Sequence, residues 1–167
     1  SSNRTQINVI VSAIPSPPSA PTPINYCQSQ TATPLTATGS NLLWYTVSIG
    51  GSGSPTVPTP STSSGGTTNH WVSQTVSGCE SGRSQINVVV TATPSAPTAT
   101  TPINYCQNQV ATSLTATGSN LLWYTVSIGG SGNPTAPTPS TSSGGTISYW
   151  VSQTVSGCES ARSQINV

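Results

Sequence analysis

Four cysteines carry the clearest chemistry in this chain. Cys27 and Cys79 lie in its first half, and Cys106 and Cys158 follow in the second half at the same spacing. Free thiols and zinc ligands are alternatives to disulfides, but zinc sites usually contain CxxC pairs or nearby histidines, which this pattern lacks. Four cysteines allow three pairings. Only Cys27 with Cys79 and Cys106 with Cys158 gives both halves the same bond, so we expect one disulfide in each half.

The other ionisable side chains do not indicate catalysis. His70 is the only histidine, Tyr149 occupies the matched position of the second half, and the chain has no Asp to orient an imidazole. A nucleophile–base pair or a pair of catalytic carboxylates needs such partners. We therefore expect no enzymatic activity, no cofactor and no metal site. The absence of Lys also argues against intramolecular isopeptide bonds, and the lack of clustered carboxylates against calcium-stiffened linkers.

Charged residues make up only 3% of the chain. Glu80 and Arg83 can pair within one turn, as can Glu159 and Arg162, and an exposed pair of this kind contributes under about 1 kcal/mol. A nucleic-acid or anionic-membrane partner requires clustered Lys and Arg, so neither is expected. No apolar run is long enough for membrane insertion. A neutral Ser/Thr-rich surface suits an extracellular location, because salt has little charge to screen there.

The two halves are repeats. Residues 24–88 recur at 103–167 without gaps, and residues 4–9 match 83–88, so the chain reads as a window of a longer repetitive protein. We predict the last strand of a preceding repeat at 1–14, Pro-rich linkers at 15–22 and 94–101, and repeats at 23–93 and 102–167. The repeats differ at nine positions of the first: Ser29, Thr31, Pro34, Ser54, Val57, Thr68, Asn69, His70 and Gly82.

The pattern within one repeat predicts an all-β fold. Short runs rich in Val, Ile, Thr and Tyr alternate with Gly, Pro, Ser and Asn clusters, and no helical period is present. The predicted strands are 23–27, 31–38, 42–48, 55–62, 67–76 and 83–91. Short strands with a central Trp indicate tandem immunoglobulin-like (Ig-like) β-sandwiches. In that arrangement Cys27 would lie at the end where the chain enters, beside Cys79, since a disulfide needs close Cα atoms.

The alternation of residues in the LLWYT run indicates which side chains face outward. If Trp44 points inward, Leu43 and Tyr45 point to the opposite face. Exposed aromatics could stack on sugars, although the Gly-rich corner at residues 49–53 or the Pro-rich strand at 55–62 could instead cover them. In the second repeat Tyr149 would be the corner tyrosine of such a sandwich, with His70 in its place in the first. The candidate ligand face comprises Leu43, Tyr45, Trp71, Leu122, Tyr124 and Trp150.

A family resemblance adds to this prediction. The string YCQ-x-Q-x-AT-x-LTATGSNLLWYT, a PTPST strand, an aromatic-Val-Ser-Gln-Thr run and GCES-x-R resemble the tandem Ig-like repeats of large secreted surface proteins of Bacteroidetes, including gliding-motility adhesins. The resemblance implies a cell-surface stalk or adhesin segment. A repetitive glycan-binding module is the alternative, with polysaccharide or other cell-surface ligands, or lateral self-association, as partners. A sequon at Asn3 could accept an N-glycan.

Overall fold

The computed structural model describes Arg4 and residues 6–167, so the predicted sequon at Asn3 lies outside the described residues. Every regular element in these residues is a β-strand, which confirms the all-β prediction. Within the same residues, no helix is long and apolar enough to cross a membrane. The chain divides into two compact units, Ser1–Val90 and Thr91–Val167.

The described residues of the first unit form six strands. They are β1 (Ile24–Cys27), β2 (Leu43–Tyr45), β3 (Gly66–Ser73), β4 (Thr75–Val76), β5 (Cys79–Glu80) and β6 (Ser84–Thr91). Four of them form a sheet in the order β1-β6-β3-β2, and β4 and β5 form a hairpin beside it. Strands β3 and β6 are antiparallel from Gly66↔Val90 to Val72↔Ser84.

The second unit repeats this plan with four strands. They are β7 (Leu121–Tyr124), β8 (Ser148–Val155), β9 (Cys158–Glu159) and β10 (Ser163–Asn166). Their order is β10-β8-β7, and β9 pairs with β8. At the position matching β1, a single backbone bond from Ile103 N to Asn166 O, 2.9 Å long, keeps the chain beside β10.

Each unit has its own apolar core. Along β6, Ile86 and Val88 are fully buried while Asn87 between them and Val89 after them are only partly buried, which is the period of two expected for a strand with one face inside. Trp44 and Val72 pack against them from β2 and β3. The matching core of the second unit contains Leu114, Trp123, Val151 and Ile165.

Two predicted strands, 31–38 and 55–62, do not form ladders. Their backbones make isolated bonds instead, such as Leu35 N to Pro58 O over 3.0 Å, Ser29 N to Thr62 O over 2.8 Å and Thr38 N to Ser19 O over 2.8 Å. Proline has no backbone N–H, so a segment containing Pro55, Pro58 and Pro60 cannot supply regular ladder donors. Leu35 nevertheless anchors its segment in the core.

The segments predicted as Pro-rich linkers pack along their units, which corrects that prediction. Ser84 donates its hydroxyl hydrogen to the Pro18 carbonyl, and Asn87 N donates to the Thr22 hydroxyl over 3.0 Å. Because the residue numbers increase in the same direction in both partners, residues 15–22 run parallel to β6. In the second unit, the pairs Ser163–Pro97 and Asn166–Thr101 place residues 94–101 in the same way. Hydroxyl groups of serine and threonine side chains therefore hold the proline-rich segments beside β6 and β10.

Residues 6–14 form no strand. Ile7 and Val9 are 84% and 82% exposed, whereas the matched Ile86 and Val88 of β6 are 0% exposed. The same apolar alternation thus lacks here the neighbouring strand that buries it in β6. The assignment of residues 1–14 to a preceding repeat stays a prediction.

Candidate functional site

A two-residue hairpin positions the carboxylate of each unit. Strands β4 and β5 pair Thr75 with Glu80 and Val76 with Cys79. The connecting residues Ser77 and Gly78 have φ angles of 50° and 79°. Two successive positive φ values define the type I′ turn, whose twist matches that of antiparallel strands. The Ser-Gly dipeptide therefore fixes the direction in which Glu80 leaves the hairpin.

Glu80 accepts two hydrogen bonds on one carboxylate oxygen. The buried Ser73 hydroxyl donates to Glu80 Oε1 over 2.6 Å, and the Tyr45 hydroxyl donates to the same atom. Bonds to the ionised form favour it. The Ser73 bond, then the Tyr45 bond, and to a smaller extent the charge of Arg83, lower the pKa of Glu80 below its ordinary value.

The second unit repeats this arrangement at Glu159. The hydroxyls of Ser152 and Tyr124 each donate to Glu159 Oε1 over 2.6 Å. They lower the pKa of Glu159 in the same order, with Arg162 again contributing through its charge. We refer to Tyr45, Ser73, Glu80 and Arg83, and to Tyr124, Ser152, Glu159 and Arg162, as the Tyr–Glu–Arg clusters.

The arginine of each cluster covers the tyrosine ring. The Arg83 guanidinium carbon lies 3.3 Å from the centroid of the Tyr45 ring, and its Nη1 donates to the Val47 carbonyl over 2.7 Å. Such stacking adds cation–π attraction to a hydrogen bond that fixes the guanidinium. The Gly-rich corner closes the other side, since a Cβ atom at Gly53 would lie 2.6 Å from the Tyr45 hydroxyl. Arg83 thus contacts the ring of Tyr45, the residue whose hydroxyl bonds to Glu80, and acts on Glu80 through its charge.

These contacts correct the predicted ligand face. Tyr45 and Tyr124 are only 7% and 6% exposed. The strand alternation places Tyr45 opposite Trp44 as expected, but the guanidinium and the glycine corner cover it. The other four residues of that face, Leu43, Trp71, Leu122 and Trp150, are half-buried. Both repeats contain the tyrosine, the glycine and the arginine, and this shared set was the signal in the sequence that the tyrosine ring is covered.

The tyrosine at position 149 does not take the predicted corner role. The hydroxyl bond to the turn belongs to Tyr124, whereas Tyr149 packs against the core cluster of its unit. In the first unit, His70 Nδ1 is buried without a hydrogen-bond partner. Burial lowers the pKa of His70 because it penalises the charged imidazolium. Among the described residues, no three His, Cys, Asp or Glu side chains are grouped as a metal ion would require.

The cysteines of the first unit lie at its two opposite ends. Cys79 sits in the hairpin just before β6 begins; we call this the hairpin end. The segment parallel to β6 leads away from it to Cys27, and the next residue, Gln28, donates to the Ser63 carbonyl over 3.0 Å. Residues 63–66 lead into β3, whose first residue pairs with Val90 near the end of β6. We call this the distal end.

The second unit has the same arrangement. Cys158 lies in the hairpin before β10. Cys106 lines a shallow depression together with Gly145 and Val167, where β10 has ended. Each unit therefore has one cysteine at its hairpin end and one at its distal end.

The predicted pairing of Cys27 with Cys79 and of Cys106 with Cys158 is not found. Cys79 and Cys106 are free thiols, whereas Cys27 and Cys158 are disulfide-bonded. An eight-residue strand such as β6 spans about 23 Å at roughly 3.3 Å per step. A disulfide requires Cα atoms about 4.4–6.8 Å apart. The two cysteines of one unit are therefore too far apart to bond to each other.

A groove in the second unit lies beside its Tyr–Glu–Arg cluster, with Tyr124 in its lining. Its cavity volume is about 220 Å³. Three of its lining residues, Asn133, Ala136 and Tyr149, occupy positions at which the two repeats differ. The first unit has Ser54, Val57 and His70 there. The other lining residues are Trp123, Tyr124, Thr125, Thr135 and Pro137.

Comparison with known families bears on the second repeat. Residues 94–167 match the family model described as Ig-like domain CHU_C associated. No curated protein matches the chain. The match covers residues 94–101 together with the repeat, in agreement with their packing along β10.

Proposed function

Residues 94–167 belong to the family of Ig-like domains described as CHU_C associated, and from this membership we propose that the chain is a spacer segment of an extracellular surface protein. The near-identical first repeat has the corresponding strand order β6-β3-β2, with β1 added at its edge. In this proposal the repeats act in series as the stalk of an adhesin or surface filament. In this proposal they have no catalytic role: the tyrosine of each Tyr–Glu–Arg cluster is buried under its arginine, and each glutamate accepts two hydroxyl bonds within the fold.

The path of the chain through each unit carries the proposal. The Ser16 carbonyl accepts a 2.7 Å bond from Gln74 Nε2 at the hairpin end of the first unit, so the chain arrives there. It leaves at the distal end, where β6 finishes at Thr91. Gln153 and Ser95 repeat the first contact in the second unit over 2.7 Å. A unit with chain ends at opposite poles lengthens an array with every copy added.

The terminal segments of each unit also suit a mechanical role. Residues 15–22 lie beside β6 and run parallel to it, joined by the Ser84 and Asn87 bonds. Pulling at the two ends of the unit loads these bonds in shear, so they must break together. Strands joined in the opposite sense would instead separate one bond at a time. Forced unfolding depends on the unfolding barrier, which such an arrangement raises.

Single-molecule force spectroscopy of the full chain under reducing conditions tests this proposal. We expect two discrete unfolding events and a lower mean unfolding force in the S84A/S163A variant, since it loses the hydroxyl bonds to Pro18 and Pro97. The control is S61A/S140A, which removes exposed local bonds to Ser63 and Ser142 and should leave the force unchanged. Extension without discrete events would contradict the mechanical role.

A second candidate function is supported by the groove of the second unit. A pocket combining aromatic rings with an amide suits a carbohydrate, which stacks its apolar face and hydrogen-bonds its hydroxyls. Tyr149 supplies a half-buried ring and Asn133 an amide, and both are absent from the first repeat. In this alternative, the second repeat binds a polysaccharide and the first separates successive binding units.

The repeats provide the control for this alternative. The wild-type chain is applied to a glycan array beside the N133S/A136V/Y149H variant, which gives the second groove the residues of the first. Binding by the wild type that is lost in the variant supports the alternative. A wild-type chain that binds nothing on the array, or a variant that binds equally well, rules out this groove as the site.

A further inference from the structure

The two free thiols lie at different ends of their units. Cys79 is at the hairpin end of the first unit, half-buried, with its Sγ 3.9 Å from the Ser12 carbonyl oxygen. Cys106 is at the distal end of the second unit and exposed. Neither can reach the other cysteine of its own unit, because the length of β6 or of its counterpart separates them. Any disulfide that they form must use a thiol from elsewhere.

The matched positions show that both sites accept a disulfide. Cys27 occupies in the first unit the position that Cys106 occupies in the second, and it is disulfide-bonded. Cys158 occupies the position of Cys79, and it too is disulfide-bonded. The surrounding sequence is nearly the same in both repeats. Each position is therefore found both as a bonded cysteine and as a free thiol.

We propose that Cys79 and Cys106 are linking residues, and that Cys106 of one copy of this chain forms a disulfide with Cys79 of a second copy. The bond joins a distal end to a hairpin end, so linked copies keep the same chain direction. Each copy then uses Cys106 to bond to one neighbouring copy and Cys79 to bond to another, so a row of linked copies can grow at both ends. This proposal concerns covalent assembly and does not depend on the spacer role.

The reaction balances with a disulfide oxidant such as oxidised glutathione. The thiolate of one cysteine attacks the glutathione disulfide and releases one reduced glutathione. The second thiolate then attacks the protein sulfur of this mixed disulfide, forms the protein S–S bond and releases a second glutathione. The two protein thiols together lose two electrons and two protons, which the two released glutathione molecules carry.

The test is oxidation of the full chain with oxidised glutathione, quenching with an alkylating agent, and electrophoresis without reductant. We expect a ladder at multiples of the 16.9 kDa monomer that collapses on reduction. The C79S and C106S variants each lack one half of the link and should stay monomeric. An equimolar mixture of the two should give dimers and nothing larger. Peptide mapping after chymotryptic digestion should join Cys79 to Cys106.

Several outcomes would overturn the proposal. Wild-type protein that remains monomeric, whether its two thiols are still alkylated or have been lost to an internal bond, shows that copies do not link. Dimers formed by C79S or C106S alone, as abundant as those of the mixture, show symmetric pairing in place of the directional bond. A mapped crosslink between any other two cysteines has the same meaning. None of these outcomes affects the test of the spacer proposal, because the force measurement is made under reducing conditions.

Discussion

At the scale of single residues, one carboxylate oxygen organises the hairpin end of each unit. Glu80 receives the hydroxyls of Ser73 and Tyr45, while Arg83 lies over the tyrosine ring. Three strands and the turn before β6 thus meet at four side chains. The Glu and Arg were visible in the sequence as a possible turn pair. The tyrosine between them was not, because nothing in a strand pattern shows which loop will cover an outward ring.

Removal of the tyrosine hydroxyl should weaken this junction. The Y45F/Y124F variant keeps both rings under their arginines but loses the bonds to Glu80 and Glu159. We expect each unit to lose about 1 kcal/mol of unfolding free energy, less than the roughly 1.5–3 kcal/mol of a bond to a charged group, because the glutamates face solvent. Urea unfolding of the full chain measures it. Y105F is the control, since that hydroxyl makes two exposed 3.3 Å bonds, both with Thr112, and none with a glutamate. An equal loss there would contradict the account.

The same clusters predict a dependence of stability on acid. The folded pKa values of Glu80 and Glu159 lie below the ordinary 4.5, so the unfolded chain binds protons first as the pH falls. The contribution of these bonds is fully present above pH 4.5 and is lost as the pH falls through the folded pKa values.

Urea unfolding at a series of pH values checks this prediction. The E80Q/E159Q variant keeps an oxygen acceptor for the serine and tyrosine hydroxyls but cannot titrate. Its unfolding free energy should therefore fall less between neutral pH and about pH 3 than that of the wild type. Identical pH profiles for the two proteins would show that the glutamate bonds do not stabilise the fold. His70, whose pKa is lowered by burial, is present in both proteins and cancels in the comparison.

At the scale of elements, the glycine corner leaves no room for a side chain at Gly53. The G53A variant adds a methyl group 2.6 Å from the Tyr45 hydroxyl, and we expect a loss of about 1–3 kcal/mol from overpacking. Thermal unfolding measures the shift. The control is G82A, which creates the residue found at Ala161 and places its methyl 3.6 Å from Pro17. A G53A variant as stable as G82A would mean that the corner does not hold the tyrosine.

The strand pattern was the most predictable part of the molecule. Alternation in SQINVVVT correctly indicated β6, and the run around Trp71 correctly indicated β3. Segments 31–38 and 55–62 have suitable composition, but their prolines lack the N–H groups of a ladder. Proline content likewise suggested linkers at 15–22 and 94–101. There, serine and threonine hydroxyls provide the bonds to β6 and β10 that proline cannot.

At the scale of the whole molecule, the cysteines show the limit of reasoning from repeats. The equal spacing of the cysteines in the two halves is compatible with a disulfide inside each repeat and equally with disulfides between copies. The choice depends on the direction of the segment before β6, which sequence alone does not specify. A parallel course carries Cys27 to the distal end, away from Cys79. An antiparallel course would have brought the two cysteines closer together.

Small-angle X-ray scattering on arrays of two, four and six repeats is the most direct test of the spacer account. Chain ends at opposite poles of every unit predict that the maximum dimension rises by an equal step with each repeat added, both with and without reductant. A maximum dimension that levels off as repeats are added would contradict the account, because repeats that fold back on one another cannot hold two points apart.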